Sequence, residues 1–161
     1  VDDKISIEVK DIQPTKKSRF KKYIEYHYPK KSRDFIELVL PSNLVNLDIK
    51  IKCFKGEILL KGTNVNSFDL KTVYGDIILD KVSAVEGSAR TAKGSIYAFI
   101  NGQKGKYETR LKSSFGDILE ELDSVNFDRR FKRTNKLTLD TTEGNINLQF
   151  NRIDKNEEFV L

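Results

Sequence analysis

The chain has 161 residues and a mass of 18.5 kDa, with 33% charged and 38% hydrophobic residues and a net charge of +5. That length fits one domain with a real core, and 29 basic against 24 acidic residues exclude a histone-like polycation while leaving room for acidic partners. No run approaches the roughly 18 apolar residues of a spanning helix, and the single cysteine, Cys53, excludes an intrachain disulfide.

The chain opens on Val1 and contains no methionine, as a trimmed or mature form would, so a signal or anchor removed on either side would leave no trace. Residues 1–46 hold three alternating, β-branched or aromatic stretches at 5–12, 22–28 and 35–40, separated by PTKKSR and PKKSRD. They read as N-terminal strands that cap the repeats beginning at residue 47, or as irregular first rungs of the same stack.

From residue 47 to 150 a frame repeats. An isoleucine stands two residues after each of Gly56, Gly75, Gly94, Gly116 and Gly144, at spacings of 19, 19, 22 and 28 residues. Self-similarity at this period is the mark of stacked-coil architectures. With glycine as position zero, position +2 is Ile58, Ile77, Ile96, Ile118 and Ile146. Position −5 is Ile51, Leu70, Ala89, Leu111 and Leu139, and position −7 is mostly apolar. Position −3 is small throughout: Cys53, Thr72, Thr91, Ser113 and Thr141. Residues two apart share a strand face, so these columns point inward on two short strands joined at a glycine corner.

One unit cannot bury its face alone, and stacked units bury a common core. The fold class predicted is all-β: a short parallel β-solenoid of about five rungs, with no helix to place. Two features break the frame. Glu120 falls on the apolar +4 position of the fourth unit, which predicts a shifted strand with Leu119 or Leu122 in the core. The stretch SVNFDRRFKRTNK at 124–136 predicts a basic loop or hairpin between rungs, and residues 151–161 a terminal edge strand and tail.

Residues 35–150 resemble a bacterial adhesin-type domain, a β-strand-repeat family of unknown function. The resemblance rests on Leu40-Pro41, on Leu70-Lys71-Thr72 with Gly75-Asp76-Ile77, and on Leu111-Lys112-Ser113 with Gly116-Asp117-Ile118. It implies a β-solenoid on exported or membrane-attached proteins, some linked to envelope stress. Ser95 and Asn145 depart from the usual aspartate, and so does the basic insertion.

Position −4 reads Lys52, Lys71, Arg90, Lys112 and then Asp140. Stacked at about 4.8 Å, it forms a ladder of cations on an outer face, which a polyanion, an anionic lipid surface or an acidic protein would relieve. The alternative is a solubility device that discourages sheet stacking. Arg129, Arg130, Lys132 and Arg133, interleaved with Phe127 and Phe131, extend the candidate anion-binding set. Tyr23, Tyr26 and Tyr28 stand among the N-terminal cations in the same manner; these segments read as solvated loops whose tyrosines pack on the repeats, or as a membrane or anionic-polymer interface, ahead of nucleic acid, for which no recognition motif is present.

The +1 column, Glu57, Asp76, Ser95, Asp117 and Asn145, reads as turn residues that accept backbone N–H bonds or pair with a turn lysine, since the glycine density of calcium-binding turns is missing. His27 is the only histidine, and Cys53 sits in a packing column. No catalytic residue, metal or cofactor is therefore expected.

Two functions remain. One is a noncatalytic cell-envelope or extracellular domain that contacts an anionic polymer, lipid or acidic partner through its cationic face, with a cytoplasmic location left open. The other is a structural or regulatory interaction module working through the solenoid ends or edges, self-association included.

Overall fold

The computed structural model describes residues 6–9, 47–121 and 132–151. Among them run ten strands: β1 (Ser6–Val9), β2 (Asp48–Lys55), β3 (Ile58–Lys61), β4 (Asn64–Tyr74), β5 (Ile77–Lys93), β6 (Ile96–Asn101), β7 (Tyr107–Phe115), β8 (Ile118–Glu120), β9 (Asn135–Glu143) and β10 (Ile146–Asn151). A three-residue 3-10 turn at Lys104–Lys106 is the sole helical element of the described residues. The predicted all-β class holds.

All strand pairs are parallel and fall into two ladders of one open sheet. The first runs β1-β2-β4-β5-β9-β7 and the second β3-β5-β6-β10-β8. β5 serves both. Its register with β6 shifts between Asp80 and Val82, where Lys81 adopts φ 55°, and there the strand turns from the second ladder into the first.

The core lies between the ladders. Leu70, Leu137 and Leu139 from the first meet Ile77, Leu79, Ile96, Ile146 and Leu148 from the second, all of them fully buried. Each such side chain stabilises the fold by about 1.5–3 kcal/mol. In the −7 column the large Phe68 lies against Gly87, where a Cβ would overlap its ring.

The glycine corners stack closely. A Cβ at Gly75 would overlap the carbonyl of Gly56, and one at Gly94 the carbonyl of Gly75, both on backbone of positive φ. The −3 column carries more than packing. Thr72, Thr91, Thr141 and Ser113 donate hydroxyl hydrogen bonds to the carbonyls of Gly56, Gly75, Gly94 and Gly144 at 3.2, 2.9, 2.8 and 2.8 Å. The carbonyl that each glycine corner turns toward the next layer is satisfied by a side chain of that layer.

These bonds reveal an order that the chain does not follow. The repeats stack as Gly56, Gly75, Gly94, Gly144, Gly116, so the fifth sits between the third and the fourth. The physical reason lies in their side chains. The fifth repeat offers Leu137, Leu139, Ile146 and Leu148, which gain most from a neighbour on each side. The fourth carries Thr109 and Glu120 at two of those positions, polar groups that would be costly in the interior.

Several expectations are corrected. Glu120 causes no slip: β8 pairs β10 in register, with Glu120 opposite Leu148, and the carboxylate meets Lys104 Nζ at 2.8 Å. Leu119 points outward at 54% exposure, and Leu122 lies outside the described residues. Asn135 and Lys136 belong to β9, which shortens the insertion. Of the expected terminal strand at 151–161 only Asn151 is described, as the last residue of β10, which lies between β6 and β8. At the N-terminus β1 falls within the expected 5–12 stretch and pairs parallel with β2. The stretches at 22–28 and 35–40, and residues 152–161, lie outside the described residues.

Candidate functional site

The outer face of the first ladder carries the expected cations in a different arrangement. Register pairs Lys52 with Lys71 and Lys71 with Arg90, but Arg90 then faces Asp140, and Asp140 faces Lys112. The column thus holds three consecutive cations, a carboxylate, and a fourth cation. Its charge is diluted further, because Lys71 Nζ pairs with Asp69 at 3.1 Å. Along the far edge of the face Asp48, Ser67, Glu86, Lys136 and Glu108 lie in register, and Glu108 pairs with Arg110 at 3.3 Å.

Lys132 and Arg133 are exposed just before β9, while Arg129 and Arg130 lie outside the described residues. β9 begins at Asn135, which pairs with Tyr107 at the far end of the strand from the −4 column. Five residues of strand rise, about 17 Å, separate Asn135 from Asp140. The start of β9 and the −4 column thus lie at opposite ends of the strand.

The +1 side chains act between layers. Asp76 Oδ1 accepts the Ser95 N–H at 2.8 Å, Ser95 Oγ the Asn145 N–H at 3.1 Å, and Asn145 Oδ1 the Asp117 N–H at 2.9 Å. This is the turn role expected of them, extended to the neighbouring coil. Cys53 is half-buried at the head of the hydroxyl column, where its Sγ lies 3.8 Å from Thr72 Oγ1. Among the described residues no three His, Cys, Asp or Glu side chains converge as a metal site requires, and no helix is long and apolar enough to cross a membrane.

Two surfaces were not anticipated from the sequence. The outer face of the second ladder carries an apolar patch: Leu59, Ile78 and Tyr97 stand in register, with Phe99 beside them and the Lys61–Asp80 ion pair at its margin. Next to them Ile78, Tyr97, Phe99, Asn147 and Gln149 line a shallow cavity of about 240 Å³. The signal was present at position +3, one residue beyond the isoleucine column.

The second such surface is the β7–β8 end of the stack. Phe115 is 73% exposed there and Ile118 44%, although the other four isoleucines of the same column are buried. This end is legible only from the spatial order of the repeats.

No curated protein and no solved structure matches the chain. A family model does match, over residues 2–159, and its description is Toastrack DUF4097, a domain of unknown function. With the stacked glycine repeats and the parallel ladders, that match settles the family: the chain belongs to the Toastrack DUF4097 family.

Proposed function

We propose that this protein is a noncatalytic scaffold of the bacterial cell envelope, built as a short parallel β-solenoid of about five rungs, and that it recruits a protein partner through the open β7–β8 end. One observation carries this reading. The end layer leaves Ile118 exposed, where the other isoleucines of its column are buried, and among the described residues it stands beside an unpaired strand edge and the outward-facing Phe115 and Leu119. Exposed apolar groups next to unpaired backbone favour association with another chain.

The test is site-specific photo-crosslinking in the cell of origin, with a photoreactive residue at Phe115 or Leu119 and, for comparison, at Lys52 or Lys71. Protein adducts confined to positions 115 and 119 support the reading. An absence of adducts there overturns it.

A second reading keeps the adhesin-like idea, with Lys52, Lys71 and Arg90 binding an anionic envelope polymer or lipid. Its support is three cations in consecutive register, Lys52 and Arg90 being exposed. Sedimentation with anionic and zwitterionic liposomes at low and high salt tests it. Salt-sensitive binding to the anionic vesicles, lost on Lys71→Glu with Arg90→Glu, is its expected signature.

A further inference from the structure

Every interior layer of the stack uses the same four contacts to hold the next. The glycine N–H donates to the −1 carbonyl of the adjoining layer: Gly56 to Tyr74, Gly75 to Lys93, Gly94 to Glu143, Gly144 to Phe115, at 2.8–3.1 Å. The +2 N–H donates to the +1 carbonyl: Ile58 to Asp76, Ile77 to Ser95, Ile96 to Asn145, Ile146 to Asp117. The glycine carbonyl accepts the −3 hydroxyl of the adjoining layer, and the +1 side chain accepts its +1 N–H.

The fourth repeat receives these contacts from the fifth and, among the described residues, passes them to nothing. Gly116 N–H and Ile118 N–H therefore point outward as donors, and the Gly116 carbonyl and Asp117 carboxylate as acceptors, beside exposed Phe115 and Ile118. A set so specific defines what would satisfy it. Resting on the end-of-stack reading above, we infer that the β7–β8 end binds one more coil supplied by a different chain, a parallel strand–glycine–strand segment of pattern Ser/Thr-x-x-Gly-x-Ile.

Each element of that pattern has a counterpart in the native stack. The hydroxyl at −3 would reach the Gly116 carbonyl, as Ser113 reaches that of Gly144. A residue with a Cβ at position zero would overlap the Gly116 carbonyl, as it would at every stacked corner. The apolar +2 side chain would cover Ile118, which is 44% exposed where its stacked counterpart Ile146 is 1%. Main-chain pairing at a sheet edge supplies affinity, and the side-chain positions supply specificity.

A second copy stacked head to tail does not fit. Its first layer carries Cys53 at the hydroxyl position, and β1 already pairs with Asp48–Ile51 on the side that would have to dock.

The test uses the 161-residue chain, isotope-labelled for NMR, in two steps. In the free protein the amides of Gly116 and Ile118 should exchange with solvent far faster than those of Gly144 and Ile146. Equally slow exchange would mean the end is already covered, and the inference would fall. The chain is then titrated with a synthetic peptide of its own residues 86–99, EGSARTAKGSIYAF, which carries Thr91, Gly94 and Ile96 in the required pattern. In the native stack this segment touches the second and fifth repeats, so shifts at Gly116, Asp117 and Ile118 report addition at the free end and not strand exchange.

We expect such shifts, weakened roughly five-fold or more when the peptide's Thr91 is replaced by valine, the worth of one hydrogen bond, and weakened again by Gly94→Ala in the peptide. Equal affinity for the variants, or no shift at millimolar peptide, would overturn the pattern. Photo-crosslinks at Phe115 without peptide binding would remove the repeat chemistry and keep the end as an interaction site. The absence of both would remove the two together.

Discussion

Thr141 Oγ1 donates a 2.8 Å hydrogen bond to the carbonyl of Gly94, a residue 47 positions away, with the whole fourth repeat lying between them in the chain. The pair shows both how the layers are bolted and in what order they lie. Thr141 is fully buried, so its hydroxyl has no water to fall back on. Replacing Thr141 by valine keeps the shape and leaves the Gly94 carbonyl without its partner. The expected loss is about 1–3 kcal/mol in urea unfolding, whereas Cys53→Val, at the head of the same column with no preceding glycine to serve, should change stability by less than about 0.5 kcal/mol.

Two isoleucines that look equivalent in the repeat should behave differently. Ile146 is 1% exposed and Ile118 44%, because the fifth repeat is interior and the fourth is the end. Ile146→Asp should cost about 4 kcal/mol or more and abolish cooperative unfolding, since it buries an unpaired charge. Ile118→Asp should cost about 1 kcal/mol. Equal losses in denaturant midpoint would contradict the stacking order.

The glycine corners are equally testable. Gly94→Ala places a Cβ against the Gly75 carbonyl, on backbone that cannot yield without parting two layers. A loss of about 3 kcal/mol or failure to fold is expected. Gly87 is different, because its close neighbour is the Phe68 ring and not backbone. Gly87→Ala should cost about 1–3 kcal/mol by overpacking, and Phe68→Leu in the same chain should recover part of it, so that the double-mutant cycle shows coupling above about 0.5 kcal/mol.

Asp140 interrupts the cation column between Arg90 and Lys112. Asp140→Lys would make the column cationic throughout. Stability should fall by no more than about 1 kcal/mol, the scale of surface charge contacts. If the second reading of function is right, retention on anionic vesicles should rise and become more salt-sensitive. Unchanged retention would leave these cations as a means of keeping the sheet face soluble.

The repeat frame determined much of this protein from sequence. Inward columns, glycine corners and the all-β class arise from side-chain alternation and from the exclusion of a Cβ at a close backbone crossing, both local properties. The role of the +1 residues as N–H acceptors was one of two the sequence allowed, pairing with a turn lysine being the other, and Asp76, Ser95 and Asn145 take it. What the sequence could not decide is which layer lies next to which. Gly116 and Gly144 stand in identical local frames, so no periodicity distinguishes an end from an interior. Only tertiary burial does, placing Leu137, Leu139, Ile146 and Leu148 between two neighbours and leaving Thr109 and Glu120 at the edge. That choice put Asp140 among the cations, exposed Ile118, and created the open end, because a layer's side chains gain from each face they cover and a polar layer loses least by covering only one.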